Sequence, residues 1–185
     1  RAMGVGDGHQ VVVYDGVGIF SAARVWWNFR LMGKTDVAVL DGGFPKWQAE
    51  GRPVEDMPPM LRDRHMTVQR QAHLVKDVTQ VASASKLGDW QILDARSPSR
   101  FKGEEPEARA GLRSGHIPGS INVHYATLLN ADGTMKQGDA LRAVFEAAGA
   151  DVTRRIITTC GSGVTAAILM LALERLGNRD VSLYD

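Results

Sequence analysis

The sequence predicts an α/β protein with a mainly parallel sheet flanked by helices, built as a tandem repeat whose first copy is incomplete. Three observations predict it. Short apolar runs alternate with stretches whose apolar residues recur at helical spacing, the order expected of strands and helices around a parallel sheet. Two segments repeat one strand–turn–helix–strand unit. In both, the turn is Gly-x-Gly and a glycine follows the helix.

The repeated segments are VVVYDGVGIFSAARVWWNFRLMGKTDVAVLDGG, from Val11, and IITTCGSGVTAAILMLALERLGNRDVSLYD, from Ile156. Asp15 stands where Cys160 stands, and Gly16 and Gly18 match Gly161 and Gly163. Gly33 matches Gly177 as the residue after the helix, and Asp36-Val37 matches Asp180-Val181. The first copy has one extra residue between turn and helix end. Between the copies, Ala49 to His65 is rich in proline and charge and reads as a linker. MTVQR is then expected to be a short strand, VKDVTQVASASKL a helix and WQILD a buried strand. A long irregular stretch from Ala95 to Ser120 follows. INV is a further expected strand, and DALRAVFEAAGA a helix with Asp139 as its N-cap. IITT, a helix from Val164 to about Leu176 and VSLYD complete the second unit. The expected organisation is residues 1–50 as the C-terminal part of an inactive unit, 51–66 as linker and 67–185 as the catalytic unit. About 90 residues lie between the linker and the second turn, a domain-sized length. Only Arg1 to Tyr14 precede the first turn, and the first copy continues past its second strand with GGFPKWQAEG where the second stops at Asp185. The expectation is a chain cut at both ends.

Composition narrows the function classes. The 185 residues are 44% hydrophobic and carry a formal net charge of +1, so no strong field draws nucleic acid or an acidic membrane. No apolar run approaches the roughly 20 residues of a membrane helix, and no leader is visible. The single cysteine cannot form an internal disulfide, which suits a reducing, cytoplasmic setting.

That cysteine, Cys160, follows a strand and precedes a helix within TTCGSGVTAA. A helix start leaves backbone N–H groups unpaired and is the positive end of the dipole. Gly161, Ser162 and Gly163 add little bulk, so the backbone can close around an anion. A free cysteine is by default a buried packing residue. A small-residue turn at a helix start instead suits a thiolate, or a thiolate bearing one more sulfur.

The heptapeptide CGSGVTA, Cys160 to Ala166, resembles the reactive loop of 3-mercaptopyruvate sulfurtransferases of the rhodanese superfamily. ILDAR, SRFKGEEPEARAG, SGHIPGSINV and SLYD resemble other signatures of rhodanese-like domains, and RVWWNFRLMG and VAVLDGG resemble the noncatalytic half of tandem members. The resemblance implies a rhodanese-like fold and a cysteine persulfide formed with a sulfur donor. The sulfur then passes to a thiol, a thioredoxin-type protein or cyanide, which is covalent catalysis in two steps. It implies no cofactor and no metal. Cys160 is the expected nucleophile and Ser162 the expected hydrogen-bond donor to the leaving group, with capping of the helix as its alternative role. Gly161, Gly163, Val164, Thr165 and Ala166 complete the loop.

Uncharged Gly161 and Ser162 resemble the mercaptopyruvate type, whereas thiosulfate-preferring relatives carry cations there, which suit a dianion. Thiosulfate remains the alternative donor. A 2-oxo acid needs a carboxylate partner, and arginine binds carboxylates bidentately. By residue-wise match, Arg100 and Arg109 are the expected substrate ligands, with Ala108 departing from the proline common in relatives. Arg96 is expected to pair with Asp94, and His116 to fix the loop through backbone hydrogen bonds. Trp26, Trp27 and Trp47 read as core or interface residues. Asp15 cannot form a persulfide, so the first unit is expected to be catalytically silent and to wall the site.

Two rivals come from other classes. Cell-cycle phosphatases of the same fold need an arginine six positions after the cysteine, and that position is Ala166. A noncatalytic rhodanese-like binding module would usually lack the cysteine, which is present as Cys160, and a thiol redox sensor would be oxidised by peroxide without turning over a sulfur donor.

Overall fold

The structure is a computed structural model and describes residues 3–107 and 111–185. In chain order its elements are β1 (Val11–Val13), α1 (Ala22–Leu31), β2 (Val37–Val39), α2 (Gly43–Ala49), β3 (Val75–Lys76), α3 (Val78–Leu87), β4 (Gln91–Asp94), α4 (Pro98–Lys102), β5 (Ile121–Asn122), α5 (Gly138–Ala147), β6 (Ile156–Thr159), α6 (Val164–Arg175) and β7 (Val181–Tyr184). β1 and β2 form a two-stranded parallel sheet. The others form a five-stranded sheet in the order β3-β7-β6-β4-β5, with every pairing parallel. β6 lies at the centre, and all four of its residues are buried. Such a strand must be apolar or internally satisfied on both faces.

The repeat is visible in strand register. Val11 pairs with Val37 in the first copy, and Ile156 pairs with Val181 in the second. These are the residues that the sequence repeat aligns. Gly33 and Gly177 both take φ of +91°, the left-handed conformation that ends a helix cheaply only at glycine. α1 and α6, the two helices that follow the turns, bury Trp26, Trp27, Leu169 and Leu173 in one apolar cluster. The first copy is therefore built onto the second through a shared core. Trp47 is only half-buried; its indole N–H donates to Pro53 O at 2.9 Å, at the start of the linker.

Four elements differ from expectation. MTVQR is not a strand. Gln69 N and Gln71 N donate to Met32 O and Leu31 O at the end of α1, which removes them from any ladder. The strand is Val75–Lys76 instead, so the following helix begins only at Val78, behind an Asp77–Gln80 capping box. Asp139 is not an N-cap. Gln137 holds that position, and Asp139 lies in the first turn of α5, where its charge faces the positive helix end. The irregular stretch contains α4, started by the Ser97 cap and Pro98. Residues 51–71 carry no helix or strand, and their end is pinned to the first copy by Thr67 N donating to Asp7 Oδ1 at 2.7 Å. Among the described residues no helix is long and apolar enough to cross a membrane.

Candidate active site

Cys160 directly follows the carboxyl end of central strand β6, where open parallel sheets place their ligands. Gly161, Ser162 and Gly163 turn the chain into α6. Gly163 is the cap residue at φ +73°, and no side chain closes the cap. The first-turn amides of α6 are thus left for another acceptor. Ser162 N donates to Cys160 Sγ at 3.5 Å. Cys160 is half-buried and lines a cavity of about 930 Å³. The cavity walls include Asp94, Arg96, Glu107, Arg113, His116, Tyr184 and Asp185.

Each expected site residue has a definite place. Cys160, Gly161, Ser162 and Gly163 line the cavity. Val164 and Thr165 are half-buried in the first turn of α6, and Ala166 is wholly buried in the core. Ser162 is exposed and does not cap α6, so of its two expected roles the structure removes the capping one. Arg100 abuts the loop: its Nη2 lies 3.0 Å from where a Cβ on Gly161 would be. It does not itself line the cavity. Arg109 and its neighbour Ala108 lie outside the described residues.

A charged network stands beside the loop. Arg96 pairs with Asp94 as expected: Nε donates to Oδ1 at 3.0 Å and Nη2 to Oδ2 at 2.5 Å. Its Nη1 donates to Glu107 Oε1 at 2.6 Å, and Arg100 Nη2 donates to Glu107 Oε2. The Glu107 side chain is 4% exposed. Burial pushes its carboxyl up, but the contacts with Arg100 and Arg96 outweigh burial and hold it below the ordinary range. Hydrogen bonds from Arg96 to Asp94, opposed by burial, raise the Arg96 guanidinium. His116 Nδ1 lies 2.7 Å from Phe101 O and its ring stacks on Phe101, which gives it the loop-fixing place expected of it.

The first copy also reaches the site. Arg24 of α1 makes two 2.8 Å bonds to the Asp185 carboxylate and lies over the Trp27 ring. A Cβ on Gly163 would fall far inside contact distance of Arg24 Nη1. Neither Glu107 nor Arg24 is evident as a site residue in the sequence. Glu107 is one acid in an arginine-rich stretch, which was a signal of pairing. Arg24 gives no signal, because only docking of α1 on α6 brings it there. Among the described residues no group of three or more His, Cys, Asp and Glu is placed to hold a metal ion.

The model of the rhodanese-like domain matches residues 1–50 and 77–185. The chain is 41% identical over 187 residues to the thiosulfate sulfurtransferase of Bos taurus, covering 100% of this chain and 63% of that protein. It is 40% identical over 185 residues to the 3-mercaptopyruvate sulfurtransferase of Escherichia coli (strain K12), covering 100% and 66%. The crystal structure of SseA from Escherichia coli, a 3-mercaptopyruvate sulfotransferase with the rhodanese fold, superposes with a TM-score of 0.89 at 38% identity, over 100% of this chain and 68% of that one. The chain spans less than two thirds of the length of the curated relatives it matches, 63% of the bovine protein and 66% of the bacterial one. A cysteine-bearing turn at the centre of a parallel sheet, and a match over most of the sequence, place this chain in the rhodanese-like domain family.

Proposed function

We propose that the chain carries the sulfur-transfer site of a 3-mercaptopyruvate sulfurtransferase. The observation that carries this reading is Cys160: a half-buried sulfur at an uncapped helix start, receiving an amide hydrogen bond and open to a cavity. Amide donors and the helix dipole are placed to stabilise negative charge that develops on sulfur during transfer. The thiolate attacks the donor sulfur, a sulfur–sulfur bond forms, and the donor's carbon–sulfur bond breaks. The electron pair stays on carbon as the pyruvate enolate, which takes a proton to give pyruvate. A thiol, a thioredoxin-type protein or cyanide then attacks the outer sulfur, and Cys160 leaves as thiolate. No outside oxidant or reductant is consumed. Ser162, whose side chain does not cap α6, is free to donate to the departing enolate. Arg100 and Arg109 are the proposed ligands of the donor's carboxylate and carbonyl.

Uncharged Gly161 and Ser162 support mercaptopyruvate over thiosulfate, because nothing in the loop itself balances a dianion. Ala166, buried and without a donor, supports sulfur transfer over phosphoryl transfer. A reducing, cytoplasmic setting keeps the lone thiol ready, and fractionation of the native protein tests it. The deciding experiment compares mercaptopyruvate and thiosulfate at matched concentrations with one acceptor. The expected result is faster pyruvate formation than thiosulfate consumption. Equal or reversed rates make thiosulfate the donor, and oxidation by peroxide without turnover of either makes the chain a thiol sensor.

A further inference from the structure

We propose that Glu107 is a resident carboxylate that occupies half of the Arg100 fork in the free protein and is displaced by the carboxylate of the donor. The inference rests on the reading of Arg100 as a donor ligand. Two identical guanidinium edges make the case. On Arg96, Asp94 takes both members of the Nε/Nη2 edge. On Arg100, Glu107 takes Nη2 alone, while Nε is buried and, among the described residues, without a hydrogen-bond partner. A buried donor left unpaired costs free energy unless something fills it. A carboxylate fits this edge two-pronged, because Nε–H and the Nη2 hydrogens point the same way.

Position explains why the edge is only half filled. Glu107 lines the cavity that holds Cys160, and Arg100 stands behind it, against Gly161. A donor entering that cavity meets one carboxylate before it meets the arginine. Glu107 and an incoming carboxylate compete for the same Nη2, so an anion takes the whole Nε/Nη2 edge of Arg100 only as Glu107 withdraws. Withdrawal does not strand the acid, since Oε1 keeps Arg96 Nη1. Glu107 thereby holds Arg100 in line when the site is empty and weakens every anion by the fraction of time it stays in place. Glu107 is a positioning residue, acting on the donor through Arg100.

The test uses pyruvate, an inert 2-oxo carboxylate, as the probe. Calorimetry should find that Glu107→Gln binds pyruvate about five- to tenfold tighter than the native chain, because an amide competes poorly for a guanidinium. The KM for mercaptopyruvate should fall by a similar factor with kcat unchanged. A purely structural role predicts the reverse, weaker pyruvate binding and a raised KM, and that result overturns the proposal. If the variant does not fold, a crystal structure of the native chain with pyruvate decides. Pyruvate on Arg100 Nε and Nη2 with Glu107 withdrawn sustains the proposal. Glu107 still on Arg100, or pyruvate held elsewhere, overturns it. Absence of any mercaptopyruvate turnover in the native chain would instead strike the functional reading, and the pyruvate measurements would stand apart from it.

Discussion

The turn after β1 and the turn after β6 are two versions of one device, an acceptor placed before a helix start, and they differ in whether the acceptor is used up. In the first, the Asp15 carboxylate receives Phe20 N at 2.6 Å, Ser21 N at 3.2 Å, Ser21 Oγ at 2.5 Å and Ala22 N at 2.8 Å. It is 6% exposed, and the start of α2 covers it, with Phe44 N donating to Asp15 O. In the second, Cys160 receives Ser162 N, α6 begins four residues later, and the sulfur faces a cavity. α1 begins seven residues after Asp15, a longer loop that wraps its own acid. The helix end of the first copy is saturated by a buried carboxylate, whereas that of the second meets a thiol that receives one amide and lines a cavity. A closed anion hole stabilises a fold, whereas an open one can do chemistry.

The sharpest way to break this contrast is to remove the open acceptor. Cys160→Ser should lower pyruvate release from mercaptopyruvate by about 10³-fold or more, as loss of a nucleophile does, with the melting temperature nearly unchanged. Wild-type turnover in that variant would remove Cys160 from the mechanism. Next comes the backbone of the open turn. Gly163→Ala places a Cβ at φ +73° against Arg24, and should cost about 2 kcal/mol or more in urea unfolding. Stability within experimental error of the native chain would show that the turn and Arg24 readjust freely.

The closed turn yields a pH signature. Burial raises the Asp15 carboxyl, but the Ser21 hydroxyl and the amides of Ala22, Phe20 and Ser21 more than offset burial and hold it below the ordinary value. A carboxyl lowered by folding contributes its full stability above the unfolded value of about 4, and loses it as pH falls through the lower folded value. Asp15→Asn should therefore cost about 1–3 kcal/mol at neutral pH, and the difference from the native chain should shrink below pH 4. A difference independent of pH would mean that the charge of Asp15 is not what fills the hole. The smallest effect is expected where the copies meet beside the open turn. Arg24 and Asp185 are 21% and 38% exposed, so their coupling in a double-mutant cycle should be under about 1 kcal/mol. A larger value would show that solvent is excluded there and that the first copy braces the loop.

What could be read before folding follows from locality. The apolar period of β6, the Gly-x-Gly turn and the helix after it are properties of neighbouring residues, and they located Cys160 between a strand and a helix start; only the sheet order made that strand the central one. Gly33 and Gly177 signalled helix ends because only glycine accepts that backbone cheaply. Local signals also misled where they were weak. MTVQR has strand-forming residues, yet Gln69 N bonds to Met32 O beside the end of α1 and Thr67 N to the Asp7 carboxylate. Ser97-Pro98 was a helix start in plain view, and Asp139 lost the cap position to Gln137 by two residues.

The sequence by itself determined the strand–turn–helix unit, its duplication and the residue that interrupts the likeness, because periodicity, glycine and a single thiol act through the chain at short range. Only the tertiary structure decided which charges surround that thiol. Arg24 crosses from the first copy because α1 packs on α6, and Glu107 meets both Arg96 and Arg100 because of where the chain after α4 runs. Their partners are far apart in sequence or set by loop path, and such pairings depend on packing that no short-range pattern records.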